Sequence, residues 1–201
     1  ADTASSSGST ATSGAGMTSR ELAVIAELNL ARTQPGQYAG FITATLESYH
    51  DNVRVAENGM QIRTKEGARA AQEAIAFLEK QRAVGPLDPC HGLYLAARDH
   101  MLDQSVTGAT GHSGSDGSSP FDRIHRYGQA RRMGENIAYG PESARDIVMQ
   151  LIIDDGVADR GHRTNIYRAE YDAVGVAIGP HKNLRVICVM DFGLGFVETS
   201  R

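Results

Sequence analysis

Cysteine occurs only twice in the 201-residue chain, at Cys90 and Cys188, so a CxxC-type metal site cannot be built from it. No apolar run approaches the roughly 20 residues that a membrane-spanning helix needs. Neither sign of charge dominates: the net charge is −4 and the Lys and Arg residues are scattered. That leaves no electrostatic footprint for nucleic acid or an anionic membrane. What is present is an ordinary globular composition, with 41% hydrophobic and 22% charged residues, enough for one core of about 150 to 180 residues plus a tail.

The tail is residues 1–17, ADTASSSGSTATSGAGM, with almost nothing to bury; it reads as a flexible tether ahead of a single domain over 18–201. A start at Ala suits a mature chain after removal of a signal peptide, so the expected location is secreted, periplasmic or extracellular. In that compartment Cys90 and Cys188 are expected to be bridged, for at most about 4 to 5 kcal/mol in the chain-entropy model. Two buried thiols are the alternative.

From Ser19, Leu22, Ile25 and Leu28 recur at helical spacing behind a Thr/Ser cap until Thr33-Gln34-Pro35 breaks the run. A second helix is expected from Pro35 to about Tyr49, polar irregular chain from His50 to Lys65, and a helix from Glu66 to Arg82. VGPLDPC is a breaker. His91 to Thr107 aligns Leu93, Ala97, Met101 and Gln104 on one face, and GATGHSGSDGSSP after it is a long Gly/Ser loop of the kind that carries function. A short helical segment over Phe121 to Tyr127 leads to RRMGENIAYG, a strand or tight turn, and then a helix starting near Ser143 and reaching Asp154 and Asp155. DAVGVAIG and LRVICVMDFG are β-rich runs joined by a four-residue turn, a hairpin. Helices with a late antiparallel sheet give an α+β class.

Glu135 in GENIAYG is a carboxylate beside a buried element, and such a charge must be hydrated, paired or used. Gly111-His112, Gly134-Glu135 and Gly161-His162 share one style, a small residue before an ionisable one, which keeps a polar side chain reachable at a cleft. LIIDDGVADRGHRTNI adds Asp154, Asp155 and Asp159 close to His162. Two imidazoles and two carboxylates converging suit a divalent transition ion or the polarisation of a water; the aspartate run also suits Ca²⁺. His100 reads as a packed, hydrogen-bonded core histidine, and His50, His91, His125 and His181 as surface residues. Tyr139 is expected to pack and Asn136 to tie down the strand or the loop opposite.

GHSGSDGS, GENIAYG, the helix IVMQLIID, GHRTNI and the strand DAVGVAIG, in that order, resemble the CAP superfamily, or SCP domain: cysteine-rich secretory proteins, antigen 5 and pathogenesis-related proteins of group 1. The chain looks like a microbial-type single-domain member. ELNLARTQPGQYA resembles that family's first helix through Asn29, Arg32 and Pro35. The resemblance implies an α-β-α sandwich, a small antiparallel sheet between helical layers, and a cleft of two histidines and two acids. By position these are His112, Glu135, His162 and Asp154. The last departs from the family pattern, because Leu151 stands where a Trp is usual and Asp is one methylene shorter than Glu; the helical stripe itself favours Asp155.

The first functional expectation is an exported module that binds a divalent metal, Zn²⁺ foremost, on His112 and His162 with Glu135 and Asp154 as cleft acids, and that receives a lipid, sterol or peptide in the adjoining groove. No organic cofactor is expected. The alternatives are a metal-dependent hydrolase (protease or esterase), with a weaker serine version at Ser113, and a protein-interaction domain with a vestigial cleft.

Overall fold

The computed structural model describes residues 16–56, 59 and 61–199. Of the expected tail, residues 1–15 lie outside the described residues, whereas Met17 is fully buried in the core, one position ahead of the expected domain start. Helix α1 (Ser19–Thr33) opens on a capping box in which Thr18 Oγ1 accepts from the Glu21 amide and the Glu21 carboxylate accepts from the Thr18 amide, so two amides left over at the helix start are satisfied. Helix α2 (Pro35–Thr43) begins on Pro35, where a missing N–H is no loss. It stops well short of Tyr49: the hydroxyls of Thr43 and Thr45 donate to the carbonyls of Ala39 and Ile42, competing with backbone continuation, and a 3-10 turn at Leu46–Ser48 follows.

The stretch expected to be irregular contains β1 (Tyr49–His50), β2 (Val53–Val55) and β3 (Gln61–Arg63), an antiparallel sheet in sequence order. Helix α3 (Ala68–Leu78) is entered through Gly67 at φ 61°, where a Cβ would lie 2.8 Å from the Asp51 carbonyl oxygen. Then come β4 (Asp88–Pro89), α4 (His91–Thr107), α5 (Pro120–His125), β5 (Gly128–Gln129), β6 (Arg132–Tyr139), α6 (Ala144–Ile153), α7 (Gly161–Ile166), β7 (Ala173–His181), β8 (Arg185–Leu194) and β9 (Val197–Glu198). β5 pairs with β9 as a small ribbon.

The main sheet has the order β4-β7-β8-β6. β7 and β8 form the expected hairpin, β6 lies antiparallel on the other side of β8, and β4 runs parallel to β7. Side chains alternate across it. Val174, Val176, Cys188, Met190 and Phe192 join the apolar sides of α1, α2, α3 and α6 in the larger core. Ile137, Ala177, Ile187 and Val189 meet Ala97 and Met101 of α4 on the opposite face. This is the α-β-α sandwich. At Gly175 a Cβ would sit 1.9 Å from the Tyr94 amide nitrogen, so α4 packs its backbone directly onto β7.

Two residues of the first helix act as clamps. Asn29 donates to the Leu87 carbonyl and accepts from its amide. Arg32, fully buried, donates to the carbonyls of Gly85, Ile166, Arg168 and Tyr171, which ties α1 to the segment after α7.

The cysteines are free, contrary to the expected bridge. Cys90 bonds to Val174 of β7 and Cys188 pairs with Ile178. Four strand residues separate those partners by about 13 Å at ~3.3 Å each, beyond the reach of a disulfide.

Candidate functional site

His112 sits in the loop between α4 and α5, and the loop is held from beneath. Gly111 donates its amide to Tyr139 Oη at 2.9 Å, while its carbonyl accepts from Gln104 Nε2 at 2.6 Å and His100 Nε2 at 2.8 Å. Tyr139 Oη donates in turn to Gln104 Oε1. His100 is therefore the packed, hydrogen-bonded core residue its helical position suggested, and burial lowers its pKa, which keeps it neutral. His181 corrects its surface reading: it is buried, with Nε2 on the Ala109 carbonyl and Nδ1 accepting the amides of Asn183 and Leu184. It pins the β7–β8 turn to the loop ahead of His112. His50, His91 and His125 are exposed.

Glu135 projects from β6 toward that loop and is almost completely buried. Its Oε1 accepts from His112 Nδ1 at 2.7 Å and its Oε2 accepts from Arg123 Nη2 at 2.7 Å. Arg123, itself buried on α5, also donates to the His112 carbonyl. One guanidinium thus fixes the acid and the loop that carries the histidine. Neighbouring Asn136 donates to the His162 carbonyl and accepts from Asn165, tying β6 to the opposite segment.

The other half is built at the end of α6. Asp154 occupies the left-handed C-cap, φ 57° and ψ 42°, a conformation that Asp tolerates better than most residues. From there Oδ1 accepts from His162 Nδ1 at 2.6 Å and Oδ2 from the His162 amide at 3.0 Å. Asp155 points elsewhere, accepting the amides of Lys65 and Glu66, and Asp159 accepts the Gly161 amide. The three aspartates do not converge as a Ca²⁺ site requires. Arg160 braces this turn against Glu66 and Glu73 and holds the Asp154 carbonyl.

The two imidazoles face each other across a cleft, with ring centroids 6.4 Å apart and planes inclined by 34°. The cavity measures about 450 Å³ and is lined by His112, Glu135, Asp159, His162, Asn165 and Arg168 among others; Asp154 stands behind His162. Both Nδ1 atoms are engaged by acids, so the Nε2 atoms remain for anything the cleft holds. Among the described residues, no group of three or more His, Cys, Asp or Glu is placed to hold a metal ion. Ser113 makes no hydrogen bond to either histidine among the described residues, whose Nδ1 atoms face Glu135 and Asp154.

Arg123 and Asp191 belong to this site and carry no motif. Asp191 of β8 pairs across the ladder with Glu135 and is fully buried. The signal for it was an acid inside the apolar run VICVMDFG, the same anomaly that singles out Glu135.

The profile of the CAP family, described as the cysteine-rich secretory protein family, matches residues 47–192, more than half of the chain; α1 and α2 lie ahead of the match. No curated protein matches the chain. Among solved structures, an outer surface protein from Borrelia burgdorferi is similar at 20% identity and a TM-score of 0.48, over 55% of this chain and 79% of that one. An extracellular protein containing an SCP domain from Bacillus anthracis str. Ames gives 16% identity and 0.48, over 62% of this chain and 38% of the other. BmVAL-1 gives 14% identity and 0.41, over 90% and 79%.

Proposed function

The chain belongs to the CAP, or cysteine-rich secretory protein, family, and from that premise we propose that it is an exported binding module whose cleft takes a divalent transition-metal ion, Zn²⁺ foremost, on His112 and His162. One observation carries the reading: each imidazole is oriented through Nδ1 by a buried carboxylate, Glu135 or Asp154, and both rings line one cavity. A carboxylate behind a histidine fixes its tautomer and raises its basicity as a ligand. The donor set fits the ion. Both Nδ1 atoms face acids and both rings line the cleft, so the ion would be held through the two Nε2 atoms. With two protein ligands, the remaining positions fall to water or to a bound molecule.

When bound, such an ion supplies Lewis acidity and a more acidic water. The chain's own acids contribute orientation. Both Glu135 oxygens are committed, one to His112 and one to Arg123, and both Asp154 oxygens to His162. Each carboxylate is occupied in orienting its histidine, which favours binding over a protease or esterase. A cavity of about 450 Å³ lies within the range for small ligands, and its mostly polar lining suits a peptide segment better than a sterol or an acyl chain. Export rests on the Ser/Thr-rich N-terminal composition; among the described residues no helix is long and apolar enough to cross a membrane.

Isothermal titration of the purified chain with Zn²⁺ at near-neutral pH tests the reading. One ion per chain is expected, with the binding lost in His112→Ala/His162→Ala. Binding that survives the double substitution, or a wild type that takes up no ion, overturns it; an unaltered partner interaction in that variant would point to the interaction-module alternative.

A further inference from the structure

Asp191 is a carboxyl group where a strand normally carries a hydrophobic side chain. β8 is flanked by β6 and β7, and at this level Asp191 has Glu135 on one side and Gly175 on the other. α4 presses its backbone onto Gly175, closing the face above, and Asp191 is 0% exposed. The ionisable groups that face it are Glu135 from β6 and Arg123 from α5. α4 contributes His100, buried beside the same Arg123–Glu135 pair.

No donor reaches it. Neither Asp191 oxygen accepts a hydrogen bond, and Arg123 Nε and His100 Nδ1 are likewise buried without a partner; the polar group within its reach is the Glu135 carboxylate. An ionised carboxylate would therefore be dry and unpaired, at a cost of several kcal/mol, beside a second carboxylate whose Cβ is about 5 Å away across the ladder. The one guanidinium nearby, Arg123, bonds Glu135 and not Asp191. Two like charges in such a site do not both persist; one carboxyl holds a proton.

The partners decide which. Glu135 accepts from His112 and from Arg123, and donors of that kind favour the charged form. Asp191 accepts from nothing. We propose that Asp191 is a neutral carboxylic acid whose O–H donates to Glu135, making Asp191 the positioning residue that holds the Glu135 carboxylate on His112. Burial and the negative charge of Glu135 both push the Asp191 carboxyl well above the ordinary carboxylate range, in agreement with this placement of the proton. Glu135 then receives a donor from each of three elements: the His112 loop, α5 and β8. The inference concerns the support behind the cleft and does not depend on the metal.

The test uses metal-free protein in which aspartate carries carbon-13 at the side-chain carboxyl. Infrared spectra at pH 7 are expected to show one neutral-acid carbonyl stretch that shifts with the label and vanishes in Asp191→Asn. Nitrogen-15 spectra of the histidine rings give the second readout. Wild type and Asp191→Asn, whose amide still donates, should hold His112 in the Nδ1–H tautomer, while Asp191→Ala should let the tautomers mix with the fold intact. Absence of a neutral-acid band at pH 7, or a band that survives Asp191→Asn, overturns the protonation; a His112 tautomer unchanged in Asp191→Ala overturns the positioning role. If Asp191→Ala does not fold, the labelled wild type and Asp191→Asn still decide the protonation, and Asp191→Val, which also lacks a donor, takes the place of alanine in the tautomer reading. Failure of Zn²⁺ binding alters none of these readings.

Discussion

Asp154 grips His162 twice: its Oδ1 accepts from the imidazole Nδ1 at 2.6 Å and its Oδ2 from the amide of the same residue at 3.0 Å. Ring and backbone are thereby fixed by one side chain, and the left-handed cap at the end of α6 is what aims it. A longer acid placed there would have to fold back to reach the same two atoms.

Substitution at Asp154 and at Asp155 should separate site from scaffold. Asp154→Ala removes the acid behind His162, one of the two histidines proposed to hold the metal, and losing such a partner typically costs about 10- to 100-fold in metal affinity. Asp155→Ala removes only the acceptor for the Lys65 and Glu66 amides. A stability loss of about 1 to 2 kcal/mol with unchanged Zn²⁺ affinity is expected there. Titration calorimetry and thermal melts on the two variants make the comparison, and equal effects on affinity would contradict the assignment of Asp154.

Asp191 gives stability a pH dependence of definite sign. Its carboxyl titrates higher in the folded chain than in the unfolded one, so above the ordinary Asp range, about pH 4, the native state binds the extra proton. Its contribution is fully present below the unfolded pKa and is lost as pH rises toward the folded value. Asp191→Asn keeps a neutral side chain at every pH. Relative to wild type it should melt higher at pH 8 than at pH 4, with the gap closing on acidification; a gap that widens toward acid would contradict this.

Arg32 should matter to stability and not to the cleft. Arg32→Ala leaves four carbonyls without their donor at once, those of Ile166 and Tyr171 buried, a loss on the order of 3 to 5 kcal/mol. At about 2 to 4 °C per kcal/mol for a chain of this size, Tm should fall by roughly 10 °C. Zn²⁺ affinity measured below that Tm should stay within about twofold.

The pattern of success along the sequence has physical causes. His112, Glu135 and His162 each follow a glycine in a distinct motif, and the structure places all three on one cleft. The choice between Asp154 and Asp155 lay beyond helical periodicity, because α6 ends at Ile153 and a stripe extended past a helix end has no meaning. Arg123 was illegible: an arginine in an amphipathic turn is ordinarily a surface residue, and only the tertiary approach of β6 buries it. His181 misled for the same reason, since a turn is exposed unless another loop lies over it. The strands between Tyr49 and Arg63 are two or three residues long, too short for alternation to register. Compartment alone suggests a bridge between Cys90 and Cys188, and strand register forbids it.

The most direct measurement is a crystal structure grown with Zn²⁺ and phased at the zinc absorption edge. One anomalous peak is expected in the cleft, bonded to Nε2 of His112 and Nε2 of His162 at about 2.0 to 2.1 Å, with Glu135 and Asp154 still on the two Nδ1 atoms. A cleft without a peak, or an ion held through Nδ1 with the carboxylates displaced, would contradict it.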